Sequence, residues 1–397
     1  MSLFHEAQQL SDVIIANRHH LHRIPELGLD LPQTAAFVEG KLREMGYAPQ
    51  RVGECGIVAL AGKGDGKCFL IRGDMDALPV EEAADVPFKS TNGRMHACGH
   101  DCHTAMMLGA AQLLKNHEDE IEGCVKLMFQ PGEETMEGGK MMLDAGVLEN
   151  PHVDAAMAEH VFTALDLPVG AITLMGADAK LAGVDWFTIY ITGRGCHGAM
   201  PQTGVDPLNV MSHIHLALQA INSREMDPMD NLVLTIGQMH GGQTSNVIPN
   251  DAFMSGTIRT RKNETRAMVK SRMEAIVSTV AAAFGAEARV EWGCGCPVLI
   301  QNKDLYAEVK GYLKELDGAT LVDMGELGMS FGGMGSEDFS QVANAVPSVF
   351  LAIPAGASKD GFIYPQHHPM AQFLDEALAP GAAAYAHVAM QWLKHNK

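Results

Sequence analysis

Apolar residues along the chain follow two spacings, one typical of amphipathic helices and the other of short buried strands. Helical spacing predicts helices at 11–23, from Pro32 to about Gly46, and at 136–145. Continuous apolar runs predict strands at 56–60, 68–72, 124–129 and 153–158. Because strands alternate with helices, the pattern predicts an α/β domain with a mostly parallel central sheet flanked by helices.

The pattern changes near residue 184 and returns to its first form after residue 297. The intervening elements follow the order strand, helix, strand, strand, helix, strand, at 184–192, 206–223, 232–240, 252–260, 264–284 and 288–292. That order is typical of a ferredoxin-like α+β unit. We therefore predict that 184–296 form a domain inserted into another domain, which is made of 1–183 and 297–397.

Two glycine-rich segments interrupt the apolar pattern. The first, at 62–66, joins the strands predicted at 56–60 and 68–72 and superficially resembles a phosphate-binding loop. It lacks the Lys-Ser/Thr pair and the following helix of such a loop, so a hairpin turn is favoured. The second, at 331–339, is predicted to be a loop of the first domain.

Composition and charge exclude several classes of function. The 397 residues are 47% hydrophobic and 19% charged, as in an ordinary globular protein. A net charge of −19 argues against nucleic acid or an anionic membrane as a partner. The first residues lack a signal sequence and no apolar run approaches ~18 residues, so we expect a cytoplasmic location. Eight dispersed cysteines are expected to be reduced thiols.

The densest group of reactive side chains is the run 95–103, which contains two cysteines, three histidines and an aspartate. Cysteine and histidine bind borderline-soft divalent metals. Only Gly99 separates Cys98 from His100, so both side chains can face one ion, just before a helix predicted to begin at Thr104. The alternative is a packed, reduced cysteine beside surface histidines.

Charged and imidazole side chains also follow three of the predicted strands. These residues are Asp74 and Asp76, Glu133 and Glu134, and Glu159 and His160. Carboxylates two residues apart point to the same side of a strand, and strand ends usually carry the site residues of an α/β sheet. Each pair alone could be solvated surface. By contrast, His19, His20 and His22 face different sides of a helix and are interpreted as structural or surface residues.

Ten segments occur in the order found in a known enzyme family: 22–28, 72–79, 96–103, 130–134, 159–161, 193–201, 245–249, 256–259, 335–339 and 367–369. Together they resemble the co-catalytic metallopeptidase family of aminoacylases and glutamate carboxypeptidases. The nearest branch is that of hippurate hydrolase and the auxin-conjugate amidohydrolases. The resemblance implies a catalytic α/β domain and an inserted lid domain that usually mediates dimerisation. We therefore expect a homodimer or a higher homo-oligomer.

The resemblance also implies two divalent metal ions in each subunit, which could be Mn, Zn, Ni or Co. The implied ligands are Cys98, His100, Glu134, His160 and His367. In this branch the cysteine replaces the bridging carboxylate of the wider family. The last ligand belongs to a His-x-Pro pattern, which selects His367 rather than its neighbour His368. Cys102 and His103 are left with supporting roles at the start of the helix.

Five further residues take roles by the same resemblance. Glu133 matches the general base, and Asp76 matches the carboxylate that orients a ligand. His197 matches a lid histidine that donates to the oxyanion. Asn246 and Arg259 match positions that hold the substrate. From the residues alone, His197 could be an ordinary turn histidine and Arg259 an ordinary surface cation.

The sequence thus predicts a metal-dependent amidohydrolase that cleaves N-acyl amino acids to a carboxylate and a free amino acid. Hippurate-like, N-acetyl and other acyl conjugates are all candidate substrates, attacked by a hydroxide shared by two metals. One alternative is a dipeptidase or carboxypeptidase that uses the same site. Another is a homologue that binds metal without catalysing a reaction.

Overall fold

The computed structural model of the chain describes residues 1–63, 66–329 and 333–397, which fall into two compact units. The first unit comprises Met1–Ala179 and most of the chain after Ile300. The second is built on Lys180–Leu299. Parts of both glycine-rich loops, at 64–65 and 331–332, lie outside the described residues.

The described residues form ten α-helices, four of which begin at a capping side chain or at a proline. They are α1 (Leu3–Gln9), α2 (Ser11–His22), α3 (Pro32–Glu44), α4 (His100–Asn116), α5 (Gly138–Asp144), α6 (Pro207–Ala220), α7 (Asn263–Ala283), α8 (Lys303–Lys314), α9 (Ser340–Ala343) and α10 (Leu378–His395). Pro32 and Pro207 lie in first turns, where their missing N–H costs nothing. The Asp206 side chain caps α6 by accepting the N–H groups of Leu208 and Asn209.

Strands are spread over both units. They are β1 (Gln50–Val52), β2 (Gly56–Gly62), β3 (Cys68–Asp74), β4 (Cys124–Gln130), β5 (Ala155–Phe162), β6 (Ile172–Leu174), β7 (Lys180–Leu181), β8 (Gly183–Thr192), β9 (Cys196–His197), β10 (Leu232–Gly241), β11 (Val247–Ile248), β12 (Asp251–Thr260), β13 (Glu287–Cys296), β14 (Leu299–Ile300), β15 (Leu321–Asp323) and β16 (Ser348–Pro354).

The first unit contains an eight-stranded sheet in the order β1-β2-β4-β3-β5-β16-β6-β15. Its centre, β4, β3, β5 and β16, is parallel, whereas β1, β2 and the β16–β6 pair are antiparallel. Every residue of β3, β4 and β16 is buried. The nearly fully buried helices α4 and α10 pack on each other and on β3. The predicted, mostly parallel α/β sheet is confirmed.

The hairpin predicted at 62–66 is wrong, because β2 and β3 are not neighbours. Strand β4 lies between them and pairs with β2 in antiparallel and with β3 in parallel orientation. A strand buried along its whole length needs a partner on each side, and β3 finds these in β4 and β5. Closeness in sequence did not decide the pairing.

The second unit has a four-stranded antiparallel sheet in the order β10-β12-β8-β13. Helices α6 and α7 pack on it through buried side chains such as Ile214 and Val269. The elements therefore follow the predicted β-α-β-β-α-β order. In the described ranges, no helix combines the length and apolar character needed to cross a membrane.

A buried lysine ties β4 to the segment that follows α5. Lys126 is 1% exposed, and its ammonium donates to the carbonyl oxygens of Val147, Glu149 and Pro151 at 2.8, 2.9 and 2.8 Å. This replaces water around the charge with three fixed acceptors. Strand β4 leads directly to the segment that carries Glu133 and Glu134.

We expect Lys126→Met to lower the free energy of unfolding by about 3 kcal/mol, because three carbonyl groups lose their donor. The measurement is urea unfolding followed by circular dichroism. Lys140→Met is the control, since this exposed lysine pairs with Asp144 on the surface of α5, and its loss should change stability by less than about 0.5 kcal/mol. Equal stabilities of the two variants would contradict the structural role of Lys126.

Candidate metal centre

The side chains that follow the parallel strands meet at one edge of the first unit's sheet. Strands β3 and β4 run in the same direction and end at Asp74 and Gln130. Their carboxyl ends therefore deliver Asp76, Glu133 and Glu134 to the same place. The loop before α4 adds Cys98, and β5 adds His160 from the neighbouring strand.

Two groups of side chains that could hold a metal ion share one sulfur atom. Cys98, His100 and His160 form the first group, and Cys98, Glu134 and His367 form the second. Within each group the ligand atoms lie within 4.8 Å of one another. Cys98 Sγ lies 3.4 Å from His160 Nε2, and His367 Nε2 lies 3.3 Å from Glu134 Oε1. The structure thus brings together all five residues that the sequence predicted as ligands.

The donor atoms of these groups fit a bound divalent cation. Nε2 of the buried His100 has no hydrogen-bond partner among the described residues. A buried polar atom without a partner costs about 1–3 kcal/mol, and a cation would remove that cost. Thiolate, imidazole and carboxylate together suit Zn, Ni, Co and Mn.

The helix after the cysteine begins at His100 rather than at the predicted Thr104. Gly99 adopts a left-handed conformation with φ 86°, and its carbonyl accepts the N–H groups of Cys102 and His103. A Cβ at Gly99 would lie 2.5 Å from Val161 Cγ2, so only glycine fits. The apolar stripe that predicted the start at Thr104 misses the first turn, which carries polar site residues.

Strand β5 continues to Phe162, so Glu159 and His160 lie inside it rather than after its end. Successive side chains of a strand point to opposite faces, and only His160 faces Cys98. Glu159 lies on the α10 side, where a Cβ at Gly381 would lie 2.9 Å from its Oε2. Burial there raises the pKa of the Glu159 carboxyl well above its usual range.

His367 and its neighbour His368 have different surroundings. The backbone N–H of His367 donates to Ala97 O at 2.9 Å, and its φ of 67° is rare for a residue with a side chain. Such strain is typical of functional sites. The ring of His368 instead stacks on Tyr364, with the ring centroids 4.4 Å apart. His367, rather than His368, thus lies beside Cys98 and Glu134.

Asp76 fixes the segment that carries both glutamates. Its two carboxylate oxygens accept the backbone N–H groups of Glu133 and Glu134, each at 3.0 Å. Its Oδ1 also lies 3.5 Å from His100 Nδ1. The buried Asp76 carboxylate therefore contacts both the His100 ring and the backbone of Glu133 and Glu134. The resemblance of the motifs implied only that Asp76 orients a ligand.

A buried ionic network behind the centre was not predicted. His22 lies between Asp101 Oδ2, at 2.9 Å, and Glu82 Oε1, at 3.0 Å. Arg18 Nε also donates to Asp101 Oδ2, at 3.1 Å. Burial alone would lower the pKa of His22, but the two carboxylates outweigh it and raise the pKa to about 9. His22 therefore has a structural role, as the sequence indicated.

This network makes stability depend on pH. An unfolded histidine has a pKa near 6.5, so the stabilisation by His22 is complete below that pH and is lost as the pH rises towards 9. The gap between the two pKa values corresponds to about 3 kcal/mol. We expect the free energy of unfolding of His22→Gln to fall less between pH 6.5 and pH 9 than that of the parent protein. His152→Gln, at an exposed histidine, should follow the parent; parallel curves for all three proteins would refute the effect.

The remaining predicted site residues belong to the second unit. His197 in β9 pairs with Val247 in β11, and Gly198 N–H donates to Asn246 O at 2.8 Å. The structure thus places His197 and Asn246 on two neighbouring segments, and both residues are exposed. Arg259 lies half-buried on β12, where its Nη1 donates to Thr257 Oγ1 at 3.2 Å.

A parallel sheet that gathers thiol, imidazole and carboxylate groups at its carboxyl edge is the architecture of a metallohydrolase. Residues 70–391 match the model of peptidase family M20/M25/M40. The chain therefore belongs to this family of hydrolases, which confirms the resemblance of its motifs.

Relatives whose names state an activity align over most of the chain. An N-acetyl-L-cysteine deacetylase of Bacillus subtilis is 35% identical over 91% of this chain and 83% of its own length. The IAA-amino acid hydrolase ILR1-like 2 of Arabidopsis thaliana is 34% identical over 99% of this chain and 88% of its own. The solved YXEP protein of Bacillus subtilis, described as a dinuclear metal binding peptidase, is 30% identical, with a TM-score of 0.79 over 98% of this chain and 99% of its own.

Proposed function

We propose that the chain is an amidohydrolase that uses two divalent cations to cleave N-acyl amino acids to a carboxylate and a free amino acid. The observation that carries the proposal is the pair of donor groups that share Cys98 Sγ, with Glu133 beside them. The first unit would be the catalytic domain and the second unit the lid. The names of the two relatives, a deacetylase of an acetylated amino acid and a hydrolase of an IAA-amino acid, support this class of substrate.

One cation would be held by Cys98, His100 and His160, and the other by Cys98, Glu134 and His367. When bound, the two cations would polarise the scissile carbonyl and lower the pKa of a water molecule. The Cys98 thiolate and the Glu134 carboxylate would supply negative charge, and the three imidazoles would bind as neutral ligands. The backbone of Glu134 is held by Asp76, and that of His367 by the Ala97 carbonyl.

Glu133 would act as the general base and then as the general acid. Its Oε2 lies 4.0 Å from His100 Nε2, so it is beside the ligands without belonging to either group that contains Cys98. It would take a proton from the attacking water and transfer it to the nitrogen of the leaving amine. Asp76, which holds the Glu133 backbone, would keep this carboxylate in place.

His197 would stabilise the oxyanion, and Asn246 and Arg259 would hold the free carboxylate of the substrate. The Ala199 N–H donates to His197 Nδ1 at 3.0 Å. In the neutral ring, Nε2 then carries the proton, as an oxyanion donor requires. A guanidinium can donate two hydrogen bonds to one carboxylate. This suits Arg259 to an amino acid product, which carries a free carboxylate.

A substrate panel tests the proposal. Metal-free protein is incubated with Mn²⁺, Co²⁺, Ni²⁺ or Zn²⁺ and offered N-acetyl amino acids, N-benzoyl amino acids and dipeptides. We expect metal-dependent release of the amino acid from the acyl substrates. Faster cleavage of dipeptides would favour a peptidase, and two bound cations without turnover would favour a non-catalytic binding protein. Assembly into a homodimer and a cytoplasmic location remain predictions from the sequence.

A further inference from the structure

His103 is a buried histidine that connects α4 to β3 and β5. Its Nδ1 lies 2.5 Å from Asp74 Oδ1, and the backbone N–H of Val161 donates to its Nε2 at 2.8 Å. Because a backbone N–H can only donate, Nε2 is the acceptor, and Nδ1 carries the proton that is donated to Asp74. The ring is thus held in one neutral tautomer, with both nitrogens engaged.

The other backbone group of Val161 orients His160. His160 Nδ1 lies 2.6 Å from Val161 O and donates to it, which leaves Nε2 facing Cys98 Sγ. Gln366 Nε2 also donates to this carbonyl, at 3.2 Å. Val161 therefore links two imidazoles. Its N–H donates to His103, and its carbonyl oxygen accepts from His160.

The far end of this chain of contacts is fixed as well. Arg72 Nη1 donates to Asp74 Oδ2 at 2.6 Å, and Arg72 Nη2 donates to Asp338 Oδ1 at 2.9 Å. Arg72, Asp74 and His103 are all fully buried. Such a buried, fully paired network has little freedom to rearrange.

We propose that His103 is a positioning residue of the metal centre: it holds Val161 so that His160 presents Nε2 to the cation shared with Cys98 and His100. This inference rests on the proposed function, because it assumes that a cation binds there. Groups that orient ligands from outside are typically worth 10- to 100-fold in metal affinity. If the His103 ring only filled space between α4 and β5, its replacement would not change the affinity for the metal.

Replacement of His103 by Gln or by Asn distinguishes a positioning role from a space-filling role. The amide of His103→Gln reaches the position of Nε2 and can accept the Val161 N–H, whereas the shorter side chain of His103→Asn reaches only the position of Nδ1. Metal-free forms of the parent and both variants are titrated with Co²⁺ or Zn²⁺ against a chromophoric chelator. The readouts are the number of bound cations, their affinities and the cobalt–thiolate absorption. His387→Asn is the control, because this buried histidine contacts the Tyr312 carbonyl on α8.

We expect His103→Asn to bind one of two cations roughly 10- to 100-fold more weakly, while His103→Gln and His387→Asn stay close to the parent. Parent-like affinity for both cations in His103→Asn, or equal losses in the Asn and Gln variants, would overturn the inference. If His103→Asn does not fold, His103→Phe replaces it, since it fills the space without any ring nitrogen. A parent protein that binds no cation would instead overturn the proposed function.

Discussion

Glu133→Gln lowers the rate of hydrolysis of N-acyl amino acids by about 10²–10⁴-fold while both cations stay bound, if Glu133 is the general base. The amide cannot take the proton of the attacking water, yet it has nearly the same size and keeps the backbone N–H that Asp76 accepts. The measurement combines the turnover rate with the metal content of the purified variant.

The matched control for this change is Glu137→Gln, an exposed glutamate four residues further along the chain. It should keep the parent rate. If Glu133→Gln retained both cations and also hydrolysed its substrate at the parent rate, the role of Glu133 as base would be wrong. Loss of metal from the variant would show instead that Glu133 helps to bind a cation.

Cys98→Ser is expected to lose metal and activity together. Its Sγ belongs to both donor groups, and a serine hydroxyl does not ionise near neutral pH as a metal-bound thiol does. We expect the bound metal to fall from two equivalents to less than one, and the rate to fall by more than about 100-fold. Metal analysis after gel filtration and the loss of cobalt–thiolate absorption measure the effect.

Cys102→Ser provides the comparison for Cys98→Ser. Cys102 is also buried and lies in the first turn of α4, but it belongs to neither group that contains Cys98. It should retain two cations. A Cys98→Ser protein that bound two cations with the affinity of the parent would refute the shared thiolate.

The sequence predicted those features that depend on local pattern. Alternating strands and helices predicted the sheet of the first unit, and the β-α-β-β-α-β order predicted the second. The carboxyl ends of neighbouring parallel strands meet at one edge of a sheet, so the strand pattern alone predicts that Asp76, Glu133 and Glu134 lie close together. The run around Cys98 identified the loop that completes the centre.

Contacts between distant segments could not be predicted in the same way. The position of β4 between β2 and β3 depends on which buried strands find partners, and this overturned the hairpin at 62–66. The early start of α4 is set by the backbone at Gly99 rather than by an apolar stripe. Asp76 accepts hydrogen bonds from two backbone N–H groups, and His103 accepts one from Val161. A residue pattern does not locate these backbone atoms.

The close approach at Gly99 also limits how this family member can diverge. The side chains of Val161 and Phe373 occupy the space that any side chain at residue 99 would need, so they pack directly against the backbone between Cys98 and His100. Any other residue at position 99 would therefore displace Val161, whose carbonyl oxygen accepts a hydrogen bond from His160. The spacing of the candidate ligands Cys98 and His100 is thus tied to the packing of β5 against this loop.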